Sequence, residues 1–158
     1  MPARRRRVRE RVLQVLYAYE FSREPIEGII ATFLDDLRED RISFAFARAL
    51  VMKVLEAEKE LDTLIRGQVE HWEFHRLAAI DKIILRIAIC EFLYFPDIPP
   101  KVSINEAIEI ARIFSTEKSD KFVNGLLDYV FDILKVEGRI AKSGRGLLDT
   151  PSTRRRTS

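Results

Sequence analysis

Apolar residues recur along most of this chain at intervals of three and four, while the period-two alternation of half-buried strands is almost absent. From Val8, the positions Val12, Val15, Leu16 and Tyr19 fall on one stripe, which predicts an amphipathic first helix. Ser22 to Pro25 interrupts it, and Pro25 suits the first turn of a second helix bearing Ile26, Ile29, Ile30, Phe33, Leu34 and Leu37. Arg38–Arg41 reads as a turn. Ser43 is the expected N-cap of a long third helix that continues through Leu61 and Ile65 to Gly67. A less regular stretch follows through Trp72 and Phe74. The segment from Leu77 through Phe92 is apolar on more than one face and predicts a central buried helix.

Pro96, Pro99 and Pro100 then impose an extended loop, because each disfavours helix at the residue before it. Ser103 and Glu106 have the spacing of a capping box at the start of the next helix. Thr116–Ser119 is a break, and Phe122, Val123, Leu126, Leu127, Val130 and Leu134 define the final helix. After Gly138 the periodicity stops, so residues 138–158 are expected to form a disordered basic tail behind a folded domain of residues 1–137. The fold class is all-α, with six or seven helices and no repeat.

Composition narrows the picture. The chain has 158 residues, 47% of them hydrophobic and 33% charged, enough for a core without metals or disulfides. It lacks a long apolar run, so no membrane span is expected. Its single cysteine, Cys90, and its charged N-terminus fit the cytoplasm. The net charge of +2 is an average over unequal parts: residues 1–11 carry +5, residues 139–158 carry +5, and the stretch between them carries −8.

Candidate chemistry follows from that distribution. Arg4, Arg5, Arg6 and Arg7 are consecutive, with Arg9 and Arg11 beyond them. On a helix they would spread around the whole circumference, where no core face could tolerate them, and guanidinium forks fit phosphate oxygens and stack on bases. Lys82 and Arg86 are spaced i, i+4 and define one polar face of the central helix, unless their stems merely snorkel. In Lys121-Phe122-Val123-Asn124-Gly125, Lys121 can hold a phosphate and Asn124 can read a base edge. Phe122 could stack on an unpaired base or pack in the core, and Gly125 could allow a close helix approach. His71 and His75 lack the order and the third ligand of a metal site, Cys90 reads as a core thiol, and no phosphate loop or nucleophile elbow occurs. Asp35, Asp36, Glu39 and Asp40 read as a solvated helix end.

Three segments, RERVLQVLYAYEFS, IDKIILRIAICE and KVSINEAIEIARIFSTEKSDKFVNGLLD, resemble the bacterial NusB family of transcription antitermination factors. The resemblance spans residues 3–135 in order. It implies two packed helical subdomains and a non-enzymatic role without cofactors. The implied partners are single-stranded boxA-like RNA of ribosomal RNA transcripts, the small-subunit ribosomal protein NusE, and the RNA polymerase antitermination complex. It assigns RNA contacts to Arg4–Arg7, Lys82, Arg86, Lys101, Lys121, Phe122 and Asn124. The NusE contact falls to Tyr17 and to Asp81, which stands where some relatives carry glutamate. Two other readings remain open at this stage. One is a detached NusB-like domain serving a ribosomal RNA methyltransferase; the other is a homodimeric helical adaptor.

Overall fold

The structure is a computed structural model and describes residues 2–148, apart from the side chains at positions 2, 3, 71 and 72. Among these residues there are eight α-helices and no strand. They are α1 (Pro2–Ser22), α2 (Ile26–Phe33), α3 (Arg41–Glu56), α4 (Glu58–Arg66), α5 (His71–Arg76), α6 (Ala79–Tyr94), α7 (Pro100–Phe114) and α8 (Ser119–Val136). The expected six or seven becomes eight for two reasons. The irregular stretch contains the short α5, and the long third helix divides at Ala57. That division is a bend, since the Ala57 N–H still donates to Lys53 and its carbonyl still accepts from Leu61. No residue there breaks a helix, and the sequence carries no signal of it.

α1, α2 and α3 pack together as one lobe, and α6, α7 and α8 as another. α6 touches α1, α3, α4, α7 and α8, and a single apolar cluster runs through both lobes. Every residue from Ile83 to Phe92 is buried, as expected of the central helix. Phe92 meets Phe131 of α8 edge-on at 5.2 Å between ring centroids. Each such fully buried apolar side chain contributes about 1.5–3 kcal/mol.

Two caps differ from expectation. Asp40, not Ser43, caps α3: it accepts from the Ser43 N–H at 3.1 Å and from the Ser43 hydroxyl at 2.8 Å. α7 starts earlier than a capping box would place it, with Pro99 as N-cap and Pro100 in its first turn. Ser103 and Glu106 are therefore inside the helix, buried, and turned to other partners.

Those partners belong to a charged network in the core. Arg9 is 4% exposed at its side chain and Glu91 is fully buried. The guanidinium donates to both carboxylate oxygens at 2.7 and 2.9 Å, and Ser103 donates to Glu91 at 2.5 Å. Arg9 also sits 5.3 Å from the centroid of Phe46 on α3. Burial alone would lower the arginine pKa, but the charge and hydrogen bonds of Glu91 outweigh it and the pKa is raised. Arg9 thus corrects the expectation that no arginine of the run could face the core: a neutralising partner makes it possible.

The expectation of disorder from residue 138 does not hold for Arg139–Leu148, which lie against the core. Lys142 donates to the backbone carbonyls of Glu91 and Phe95 at 2.8 and 2.9 Å, and the Ser143 N–H donates to the Pro96 carbonyl at 3.0 Å. Residues 149–158, with Arg154, Arg155 and Arg156, lie outside the described residues.

Removing one member of a buried pair strands the other, so Glu91→Ala should cost about 3–5 kcal/mol in denaturant unfolding. The double variant Arg9→Leu/Glu91→Leu should cost clearly less. Equal losses in both would show that the pair's charge is not what holds α1 to α6.

Candidate nucleic-acid interface

The arginine run occupies the first turns of α1, and its members have different fates. Arg4 is well exposed and lies 3.0 Å from Asp40. Arg5 is exposed, and no ion pair to it is found among the described residues. Arg6 reaches the buried carboxylate of Glu106 at 3.2 Å. Arg7 and Arg11 share Asp36, at 2.7 and 2.9 Å. The acidic turn is therefore a counter-ion cluster for the run, not an independent solvated end. Hydrogen bonds from Arg11 and then Arg7 hold the Asp36 carboxyl below its ordinary 3.8, and those from Ser43 do the same for Asp40.

Lys101, at the start of α7, meets Arg5 across an open groove of about 560 Å³. Asn105, Asp97 and Arg145 also line it. Arg145 comes from the segment after α8, which was expected to be disordered. No periodicity or motif in the sequence points to it. One end of the expected RNA set is thus brought together, with a cation that sequence reasoning missed.

A second groove, of about 520 Å³, lies along the start of α8. Lys121, Phe122, Gly125 and Tyr129 line one side, with Gly67 and Gln68 opposite. Phe122 is half-buried: it packs against the core cluster and also presents to the groove. Gly125 does not mark a close helix approach, because a Cβ there would meet nothing within 4 Å; it leaves the groove open. Tyr129 is 62% exposed and was not singled out from the sequence, although it sits seven residues after Phe122 on the same helical face. Asn124 is exposed but does not line the groove.

Lys82 lies close by through Arg66, the residue before Gly67. Its ammonium is 4.5 Å from the centroid of Phe74, and the Arg66 guanidinium is 4.4 Å from the same ring. Lys82 is half-buried, so its stem packs while its charge is held at an aromatic ring.

Arg86 departs from expectation. Its side chain is 8% exposed and donates to both oxygens of Asp62, at 2.7 and 3.0 Å. Glu58 and Glu20 stand 3.5 and 3.7 Å away. Burial would lower its pKa, but Asp62 and the two glutamates more than offset this and raise it. The i, i+4 spacing with Lys82 was real, yet three acids from α1 and α4 enclose the second cation. Arg86 ties helices together and is not available to a ligand.

Asp81 is likewise enclosed. It is 7% exposed, accepts from Ser115 at 2.6 Å and from Ser119 at 3.3 Å, and so fastens the α7–α8 corner. It does not cap its own helix, whose N-cap is Ala78. Tyr17 is 42% exposed and stacks at a tilt on Phe21, 4.8 Å between centroids. With Phe21 at 63% exposure, the pair forms an aromatic patch near the end of α1.

No group of His, Cys, Asp or Glu able to hold a metal occurs among the described residues, and the side chain of His71 lies outside them. Among the described residues, no helix is long and apolar enough to cross a membrane.

Comparison with known proteins agrees with this geometry. The NusB family model matches residues 6–132. The chain is 44% identical over 155 residues to the transcription antitermination protein NusB of Chloroherpeton thalassium, covering 98% of this chain and 74% of that one. It superposes on T. maritima NusB with a TM-score of 0.75 at 40% identity, over 81% of this chain and 90% of that one. A crystal structure of antitermination factors NusB and NusE with double-stranded RNA has the same fold, with a TM-score of 0.74 at 20% identity over 84% and 99% of the two chains.

The Asp36 carboxyl ionises more readily in the folded chain than in the unfolded one. Its contribution is complete above the unfolded value of 3.8 and is lost as the pH falls through the lower folded value. The melting-temperature advantage of the wild type over Asp36→Asn should therefore hold at neutral pH and close below about pH 4. A gap that stays constant across the titration would remove the arginine pairs as its source.

Proposed function

The chain belongs to the NusB family and is a non-enzymatic transcription antitermination factor, and on that premise we propose that it holds a boxA-type single-stranded RNA together with NusE. The observation that carries this reading is the convergence of Arg5 and Lys101, from the two lobes, on one open groove. Arg4, the residue before Arg5, shares its guanidinium with Asp40 in an exposed pair. Exposed pairs of this kind are worth little, so a phosphate can take the arginine over at small cost.

Base contact would fall to the groove along α8. Phe122 and Tyr129 offer ring faces there and Lys121 offers a charge. Aromatic stacking contributes about 1–3 kcal/mol per base and tolerates sequence variation. Asn124, exposed on the same helix, would read a base edge from beside the groove. Lys82 adds positive potential near its Arg66–Gln68 side. Arg86 and Asp81 are withdrawn from the contact sets, because intramolecular partners fill them.

The NusE surface then narrows to Tyr17 and Phe21. An exposed tyrosine that buries area while keeping a wet hydroxyl is a good anchor for a protein partner. We place the assembly in the cytoplasm with transcribing RNA polymerase, where the RNA and NusE would be presented together.

Two measurements test this. In anisotropy titrations of boxA-type RNA, Arg4→Ala/Arg5→Ala should weaken binding and flatten the log–log salt dependence by about 0.7 for each phosphate released. These two positions avoid Arg6, which neutralises the buried Glu106, and Arg7, which shares Asp36 with Arg11. An unchanged slope would overturn the groove as the RNA site. Separately, Tyr17→Ala should weaken NusE binding by about tenfold or more, as loss of an aromatic anchor does, and leave binding of RNA alone as it was. Wild-type affinity for NusE in that variant would move the partner surface elsewhere.

A further inference from the structure

We propose that the segment Arg139–Leu148 forms a rigid wall of the nucleic-acid groove, and that Arg145 binds a backbone phosphate of the same RNA strand that Arg5 and Lys101 hold. The inference rests on the RNA reading above and extends it to a part of the chain that the matched family region, ending at residue 132, does not reach.

The wall is built from specific contacts, beginning where α8 ends. Gly138 takes the left-handed conformation, φ +71, that lets a helix stop and turn. Its N–H donates to Lys135 at 3.0 Å and the next, from Arg139, donates to Leu134 at 2.9 Å. The Arg139 guanidinium then fastens to Glu60 of α4 at 2.6 Å. Lys142 adds a second donor at the end of α6: it reaches the carbonyls of Glu91 and Phe95, which also accept from the N–H groups of Phe95 and Ile98.

Beyond it, Gly146 is buried against the loop between α6 and α7. A Cβ at this position would lie 1.9 Å from the Pro96 carbonyl oxygen, so only glycine allows the approach. The residue before it, Arg145, is exposed, and no ion pair to it is found among the described residues. Its position is thus set by the Ser143 N–H bond to the Pro96 carbonyl on one side and by the buried Gly146 on the other, while no described carboxylate pairs with its guanidinium.

Charge and shape identify the ligand. Arg5, Lys101 and Arg145 come from three separate parts of the chain and line one groove, where Asp97 is the one carboxylate among the described lining residues. The groove is open and is bounded by α1, the start of α7 and the C-terminal segment, so cations from three elements face the same space. A guanidinium offers paired donors to one phosphate, and because its platform is already ordered, less freedom is lost on binding.

The test is a salt titration of boxA-type RNA binding that compares four variants with the wild type and with Arg4→Ala/Arg5→Ala. Arg145→Ala should raise Kd roughly threefold to tenfold and lower the salt slope by about 0.7, with an unchanged melting temperature. Arg145→Lys keeps the charge and should restore the slope. Gly146→Val, which cannot seat against Pro96, should reproduce the loss, and adding Arg145→Ala to it should cost nothing more. Wild-type binding by Arg145→Ala, when Arg4→Ala/Arg5→Ala still weakens it, would overturn the wall and spare the RNA reading. If neither variant alters binding, the RNA reading falls with it.

Discussion

The buried pair of Arg9 and Glu91 is the constraint from which the rest of the architecture follows. Two charges taken out of water are tolerable only if each sees the other at hydrogen-bond distance, with the remaining lone pairs filled. Meeting that condition fixes α1 against α6 in register and in rotation. The Ser103 hydroxyl, also on Glu91, brings α7 to the same point, and the Phe46 ring under Arg9 brings α3. Sliding one helix past another would disrupt the apolar packing and would also strand two buried charges, so the pair ties α1 of one lobe to α6 of the other.

That register decides which basic residues remain outside. With Arg9 turned inward, Arg5, one helical turn earlier, lies at the rim on the side of α7 where Lys101 waits. Arg7 and Arg11 fall toward the acidic turn and Arg6 toward Glu106. The N-terminal charge that looks uniform in the sequence is therefore sorted by the fold into a core member, neutralised members and exposed members. The acidic surplus of the middle segment is sorted as well. Asp36, Glu91, Glu106, Asp62 and Asp81 are all engaged internally, so that surplus is much less of an external field than the count suggests.

Most of the helices and the buried character of α6 were legible because apolar spacing reports directly on which face is covered. The exposure of Arg4, Arg5, Lys121 and Asn124 was also legible, since their charge or polarity leaves them no place in an apolar core. What could not be read was pairing across distance. Arg86 has the same spacing to Lys82 as any exposed couple, and only the bend at Ala57 brings Glu58 and Asp62 to it. Ser103 and Glu106 have capping-box spacing, but Pro99 and Pro100 start the helix earlier and leave both to tertiary partners. The C-terminal segment lacks periodicity because it docks through backbone carbonyls and a glycine, which leave no apolar pattern.

The seat of that segment has a consequence for the order in which the molecule is completed. Its receptors are the carbonyls of Glu91, Phe95 and Pro96, atoms that point the right way only once α6 has formed and the chain has turned into the proline loop. The segment itself follows all eight helices in the chain and so leaves the ribosome after them. Its docking is thus a late seal on an already assembled bundle, and a nascent chain halted before it would present a finished core with an unfinished groove.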